Sequence, residues 1–345
     1  MYDHLARKLE SGALIVLDGG TGTDIERRGV PMNDEVWCAM ANLTHGETVR
    51  AVHEDYIRAG AEVVIANTYA SSPLSFATLG REDEIERIDR EAVRLAREAV
   101  DRVASGPVAV AGSVSVMRAV DKGAEHGARM TLEPERVRSL YAHKAGVLAE
   151  AGCDLLIMEM MRDLDVSLQA TEAAVATGLP VWVGMSVERV NGSLVGNTRP
   201  EYTLAEVTRG LMATGARVAL VMHNEISTTD EALEIMRSEW DGPVGAYPES
   251  GYFEMPHWVF RDLSPEDFVA ACRRWREAGA AVLGVFSASR PSTSRRCRPR
   301  SATSPRPPEV PARPPRGKPE EVRSSLRRAA ERAGRVPLPA GIPGQ

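Results

Sequence analysis

No apolar run in the chain approaches the roughly 20 residues that a bilayer-spanning helix needs. Residues 1–12 are charged and polar, so they lack the apolar centre of a secretory leader. Cysteine is scarce: Cys38, Cys153, Cys272 and Cys297 are the four, and they show no paired spacing. That argues against a disulfide framework and for reduced thiols in a cytoplasmic protein. CxxC and HExxH are both missing, so no short metal-binding signature is present. An excess of positive charge is missing too. The formal net charge is -6 and the pI is near 5.8, which argues against a nucleic-acid or other polyanionic partner.

What the sequence does hold is a repeating alternation of strand and helix. Eight apolar, branched runs recur at residues 14–17, 63–66, 108–113, 154–158, 180–186, 218–222, 243–247 and 281–285. Runs that are apolar at consecutive positions suit parallel strands buried on both faces. Amphipathic helical patterns stand between them, at residues 82–103, 134–151, 166–177 and 204–214 among others. Thr44-His45-Gly46-Glu47, Thr228-Thr229-Asp230 and Ser264-Pro265-Glu266-Asp267 read as helix caps. The spacing is that of βα units, so an α/β fold of the closed (β/α)₈ TIM-barrel type is expected over residues 1–286. A doubly wound open sheet is the alternative, since strand count alone does not prove closure.

The stretch Leu14-Ile15-Val16-Leu17-Asp18-Gly19-Gly20-Thr21-Gly22-Thr23 places a carboxylate and a glycine-rich turn at the C-terminal end of the first strand. In parallel α/β folds the active site gathers at that end. A carboxylate beside bare backbone N–H groups suits the ammonium and carboxylate poles of an amino acid. The plainer alternative is that Asp18 caps a turn. The later strands end in Asn67 with Tyr69, Ser113, Glu159, Ser186, His223 and Tyr247. Taken singly, Glu159 also reads as a helix cap or ion-pair partner, His223 as a satisfied turn histidine, and the tyrosines as wall residues. Gathered at one mouth they make a ligand site.

Asp18-Gly19-Gly20-Thr21-Gly22-Thr23, Glu26 to Gly29, Trp37 and Val52 to Ala61 resemble the homocysteine S-methyltransferase family. So do Ala66-Asn67-Thr68-Tyr69, Ala111-Gly112-Ser113, Leu155 to Glu159, Val181 to Ser186 and Tyr247-Pro248-Glu249-Ser250-Gly251. The resemblance spans roughly residues 12–285 and is specific in combination. It implies a barrel that binds homocysteine at its mouth and moves a methyl group from a small donor to the sulfur, giving methionine. It implies that Asp18 and Glu159 hold the amino group and that the N–H groups after Asp18, at Gly19 and Gly20, hold the carboxylate. Asn67, Tyr69 and Ser113 fall near the substrate or metal. S-methylmethionine, S-adenosylmethionine, a betaine or a methylfolate all fit as donor. With no further folate or cobalamin domain in the chain, a free small donor is expected. Two alternatives stand beside this: a catalytically impaired, zinc-poor barrel that binds an amino acid without turnover, and a barrel enzyme using Asp18, Glu159 and His223 for unrelated acid–base chemistry.

The resemblance also implies zinc on three cysteine thiolates, one after the sixth strand and two side by side after the eighth. This chain departs at all three. The first position is His223, a tentative metal ligand, and the pair falls at Phe286 and Ser287. From there the register breaks. Residues 287–317 hold eight Arg, eight Pro and a single acidic residue, Glu309, a composition that buries no core and reads as disordered. Residues 318–345 read as a short basic helix and a tail. An Arg/Pro/Ser run in place of the last barrel helix is what a GC-rich gene yields when read out of frame. Codons for Ser287 to Cys297 exist that, read two bases on, encode Gly-Ile-Ala-Pro-Glu-His-Ile-Ala-Ala-Leu, as the family carries after its cysteine pair.

Overall fold

The computed structural model describes residues 1–118, 132–249, 252–254, 257–259 and 264–285. Eight parallel strands form its centre: β1 (Ile15–Gly19), β2 (Val63–Ala66), β3 (Ala109–Ser115), β4 (Leu155–Met161), β5 (Val181–Met185), β6 (Val218–Glu225), β7 (Val244–Glu249) and β8 (Val282–Val285). Each pairs with the next, and β8 returns to β1 with Ile15 opposite Val282 and Val16 opposite Leu283. The sheet is therefore a closed barrel, not an open doubly wound sheet. Phe286, Ser287 and the segments 287–317 and 318–345 lie outside the described residues.

Alternation along each strand explains why the runs are apolar throughout. Ile15, Leu17, Val63, Ile65, Leu155, Ile157 and Leu220 fill the barrel interior. Their neighbours Val64, Val110, Leu156, Val183 and Val221 belong to the layer shared with the surrounding helices. The helix Ile85–Val103 shows the matching pattern, burying Ile85, Ile88, Ala92, Leu95, Ala96 and Ala99 along one stripe. A short helix, Tyr2–Glu10, covers the bottom of the barrel. Its Leu5 joins the interior cluster, and its Tyr2 hydroxyl accepts a hydrogen bond from Trp182 Nε1 at 3.1 Å. Truncating Leu5 to Ala should cost about 2–5 kcal/mol, because it removes buried apolar contacts and leaves a cavity behind. The strands finish at the opposite end of the barrel.

Three local readings of the sequence are corrected or extended. Thr44 does not cap the helix Gly46–Ala59. It is the last residue of the one-turn helix Ala41–Thr44, and its hydroxyl donates back to Met40 O at 3.0 Å, while His45 at the N-cap lies 2.9 Å from that hydroxyl through Nδ1 and makes no side-chain capping bond to the helix. Thr228 and Thr229 do not cap either. The helix Ile226–Glu239 starts before them, and their hydroxyls accept from Asn224 Nδ2 at 2.9 and 3.0 Å. Ser264 does cap Pro265–Glu277, accepting from the Asp267 N–H at 3.1 Å. An antiparallel sheet of Val187–Val190, Ser193–Gly196 and Arg199–Thr203 follows β5 and was not foreseen. It turns at Asn191 and Gly192, whose φ values of 49° and 86° make the tight turn that matches strand twist. Arg199 fastens it to the loop after β4 through Asp163 at 3.0 Å and Asp165 at 2.6 Å. No helix among the described residues is long and apolar enough to cross a membrane.

Candidate active site at the barrel mouth

β1 carries Asp18 into the mouth, where it is fully buried. Its Oδ2 accepts the Ile65 N–H of β2 at 2.7 Å, whereas Oδ1 has no hydrogen-bond partner among the described residues. Burial holds this carboxyl well above the usual carboxylate range. The Ile65 N–H pulls it back, and the nearby charge of Glu159 pushes it up further. A half-satisfied buried carboxylate is a ready acceptor for a cation, which would restore its ionised form.

The glycines after Asp18 are explained by close approach. Gly20 has φ -68°, and neither Gly19 nor Gly22 is among the positive-φ glycines. A Cβ on Gly19 would lie 2.5 Å from the Tyr56 hydroxyl, and one on Gly22 would lie 2.5 Å from the Trp37 ring. The turn is bare so that these two rings can press against it. Thr23 Oγ1 then donates to Gly20 O at 2.8 Å as the helix Thr21–Arg27 begins.

Glu159, at the end of β4, is fixed at both oxygens. Ser113 Oγ from β3 donates to Oε2 at 2.5 Å, and His223 Nε2 from β6 lies 2.9 Å from Oε1. His223 Nδ1 faces Glu249 Oε2 at 3.5 Å, so both ring nitrogens address carboxylates. Burial alone would lower this imidazole's pKa, but the bonds to Glu159 and Glu249 outweigh it and push it up to about 9. The ring stacks on Tyr69 with centroids 5.6 Å apart. Ser186 Oγ donates to the His223 carbonyl at 3.0 Å, which pins the strand end.

A recess opens beside these groups. Trp37, Tyr69 and Tyr247 form its aromatic walls, Asn67 and Glu159 its polar side, and the Gly19–Gly22 turn its rim. Three non-glycine residues around it adopt left-handed backbone: Trp37 at φ 45°, Met160 at 64° and His223 at 52°. Such conformations cost about 1–3 kcal/mol each and persist only where surrounding contacts impose them. Here Trp37 lines the cavity, Met160 Sδ accepts from the Tyr69 hydroxyl at 2.9 Å, and His223 holds Glu159.

Asp18, Glu159, Ser113, Tyr69 and His223 thus converge as the sequence suggested. Gly19 lines the cavity, whereas Gly20 sits one step back as the N-cap of the following helix. Asn67 lines it but has its amide engaged in a small structural network. Its Nδ2 donates to Cys38 O at 3.2 Å and Asn42 Oδ1 at 2.9 Å, while its Oδ1 accepts from Cys38 Sγ at 3.2 Å. Glu249, at the end of β7, joins the site through His223 Nδ1, although the sequence alone assigns it no site role. Thr21 and Trp37 carry no assigned site role in the sequence, Gly22 reads there only as part of the turn, and the burial of Trp37 against Gly22 has no signature in sequence spacing.

The zinc implied by the resemblance does not fit the described residues. No group of three or more His, Cys, Asp or Glu side chains among them is arranged to hold a metal ion. Cys38, Cys153 and Cys272 are buried, and burial pushes the first two thiols up to about 12, away from the thiolate a metal takes. His223 presents both nitrogens to carboxylates.

The family profile described as homocysteine S-methyltransferase matches residues 15–293. Homocysteine S-methyltransferase 4 of Zea mays is 28% identical over 312 residues, covering 83% of this chain and 89% of the relative. The selenocysteine Se-methyltransferase of Brassica oleracea var. italica is also 28% identical, over 313 residues, with 83% and 88% covered. The metallated form of the homocysteine methyltransferase MmuM from Escherichia coli superposes with a TM-score of 0.67 at 23% identity, covering 86% of this chain and 98% of that one. At that identity the likeness speaks for the fold.

Proposed function

Since the chain belongs to the homocysteine S-methyltransferase family, we propose that its barrel mouth binds homocysteine and passes a methyl group from a small donor to the sulfur, giving methionine. The observation that carries this reading is the pair of buried carboxylates, Asp18 and Glu159, beside an aromatic-walled recess at the barrel mouth. An ammonium group there would satisfy Asp18 Oδ1 and relieve the repulsion between the two acids. The backbone N–H groups that follow Asp18 take the substrate carboxylate, and the side chain lies against Trp37, Tyr69 and Tyr247.

In the transfer itself the sulfur gives up its proton, its electron pair forms the new S–C bond, and the donor atom leaves with the electrons of its old bond to the methyl group. The residues described here bind and orient the amino acid. They do not supply the three thiolates that would ionise its sulfur through zinc. A free thiol has a pKa of about 8.5 and is mostly protonated at pH 7. We therefore propose that this chain binds the amino acid well and turns it over slowly. The test is calorimetry of the full chain with L-homocysteine, run beside a methionine-forming assay with a sulfonium donor. Binding with slow turnover is the expected result. Failure to bind L-homocysteine would overturn the reading.

A further inference from the structure

Behind the mouth, on the helix side of β2 and β3, lies an ion pair that is fully buried. Lys144 on the helix Pro134–Glu150 and Asp89 on the helix Ile85–Val103 stand 2.8 Å apart, both with no exposed side-chain surface. Lys144 Nζ also donates to Thr68 O and Ser71 O, each at 3.1 Å, and lies 3.0 Å from Ser71 Oγ. Ser71 Oγ in turn donates to Asp89 Oδ1 at 2.5 Å.

Taking two charges out of water costs about as much as their attraction returns, so a well-packed apolar pair would join the two helices equally well. What an apolar pair lacks is N–H donors for the Thr68 and Ser71 carbonyls. Those two carbonyls bracket Tyr69, the residue that walls the cavity and stacks on His223. Thr68 also reaches β3: its Oγ1 donates to Ser113 O and accepts from Ser113 N, both at 2.9 Å. Ser113 Oγ then holds Glu159. The contacts run unbroken from Lys144 through Thr68 and Ser113 to the carboxylate.

We propose that Lys144, with Asp89 as its counter-ion, is a positioning residue for the mouth: it holds the loop after β2 so that Tyr69 and Glu159 face the substrate. The proposal rests on the reading of the mouth as an amino-acid site. Asp89 sits in the first half of its helix and Lys144 in the second half of its own, so the loop is gripped from two sides. Loss of the pair loosens the loop without opening the barrel, whose strands pair independently of it.

The test uses the full chain labelled with 3-fluorotyrosine, with the Tyr69 fluorine signal assigned from Tyr69→Phe. Lys144→Met combined with Asp89→Leu removes both charges together, so neither is left buried alone. A second pair, Lys144→Gln with Asp89→Asn, keeps polar groups of similar volume and is measured beside it. Both pairs should move the Tyr69 signal by more than its linewidth while those of Tyr2 and Tyr202 stay put. L-Homocysteine affinity should fall about tenfold in the apolar pair. Adding Ser113→Ala should then weaken binding less than about twofold further, although alone it costs about fivefold, because both act on Glu159. A Tyr69 signal that stays in place in the folded variants, or full additivity with Ser113→Ala, overturns the proposal. If the parent binds no L-homocysteine, the reading of the mouth falls and the proposal with it. The fluorine signal, which needs no ligand, tells that failure from the other.

Discussion

His223 Nε2 lies 2.9 Å from Glu159 Oε1, joining the ends of β4 and β6 across the mouth of the barrel. With Ser113 on its other oxygen, Glu159 is held at both oxygens before any ligand arrives. Asp18 differs, because one of its oxygens is held by Ile65 and the other is open. The two acids therefore divide the work: Glu159 is preset, and Asp18 supplies the vacant acceptor. Preset groups bind with less lost freedom than groups that must be ordered on contact.

Removing either acid should weaken L-homocysteine binding by about 2–5 kcal/mol, since each is one partner of a desolvated charge contact. Asp18→Ala carries a complication, because it also strands the buried Ile65 N–H, worth about 1–3 kcal/mol of stability. Asp18→Asn keeps an acceptor for that N–H and loses the charge. It should melt near the parent temperature yet bind far more weakly by calorimetry. Equal affinity in Asp18→Asn and parent would remove Asp18 from the site.

Stability should fall on mild acidification because of His53. It is fully buried on the helix Gly46–Ala59, neither ring nitrogen has a hydrogen-bond partner among the described residues, and burial lowers its pKa to about 4. Above its ordinary pKa near 6.5 the ring is neutral in both folded and unfolded chains. Between about pH 6.5 and 4 the unfolded chain takes up a proton that the folded one refuses, so folding loses up to about 3 kcal/mol across that window. His53→Leu should flatten this part of the profile and raise the melting temperature at pH 5. Urea titrations of both proteins at pH 7.5 and pH 5 would show it, and parallel losses in the two would refute it.

The barrel was legible because its strands are buried on both faces, and burial of that kind writes itself as unbroken apolar runs. The sheet from Val187 to Thr203 was not, since Glu188, Arg189, Arg199 and Glu201 interrupt it and much of it faces solvent. The Asn191-Gly192 turn was its one clear signal. Asp18, Glu159 and His223 were legible as polar residues at strand ends. Lys144 and Asp89 were not, because they sit 55 residues apart on two helices and nothing local distinguishes them from surface charges. The misread cap at Thr44 has a similar cause: the pattern was present, but the turn before it had already taken the hydroxyl.

Gly22→Ala should disturb the cavity wall. Its Cβ would stand 2.5 Å from the Trp37 ring and 2.9 Å from Cys38 Sγ, so the indole must move. Overpacking of this kind costs about 1–3 kcal/mol, and the cavity narrows with it. Gly106→Ala is the matched control, with nothing within 4 Å of the new methyl group. Thermal melts and L-homocysteine titrations of the two variants should differ, with Gly22→Ala impaired in both and Gly106→Ala close to parent.

The last prediction concerns metal. The family resemblance implies a zinc on three thiolates, and this chain places His223 at one of those positions and Phe286 and Ser287 at the other two. For zinc to take His223 it must displace Glu159 or Glu249 from the ring. Cys38 is no substitute, because its thiol donates to Asn67 and burial pushes its pKa up to about 12. Three-thiolate and related sites bind zinc with about 10–16 kcal/mol, most of it from charged sulfur, so losing those ligands removes most of the affinity. Full-length protein purified without chelator should therefore carry well under one equivalent of zinc by elemental analysis. Its affinity for L-homocysteine should be the same with and without EDTA, because Asp18 and Glu159 act on the amino group and not on the sulfur. Methionine formation should be slow. Stoichiometric zinc with rapid turnover would show that other residues serve as ligands. A gene whose frame across codons 284–298 encodes two adjacent cysteines would restore the full thiolate set, and with it the expectation of a zinc-dependent transfer.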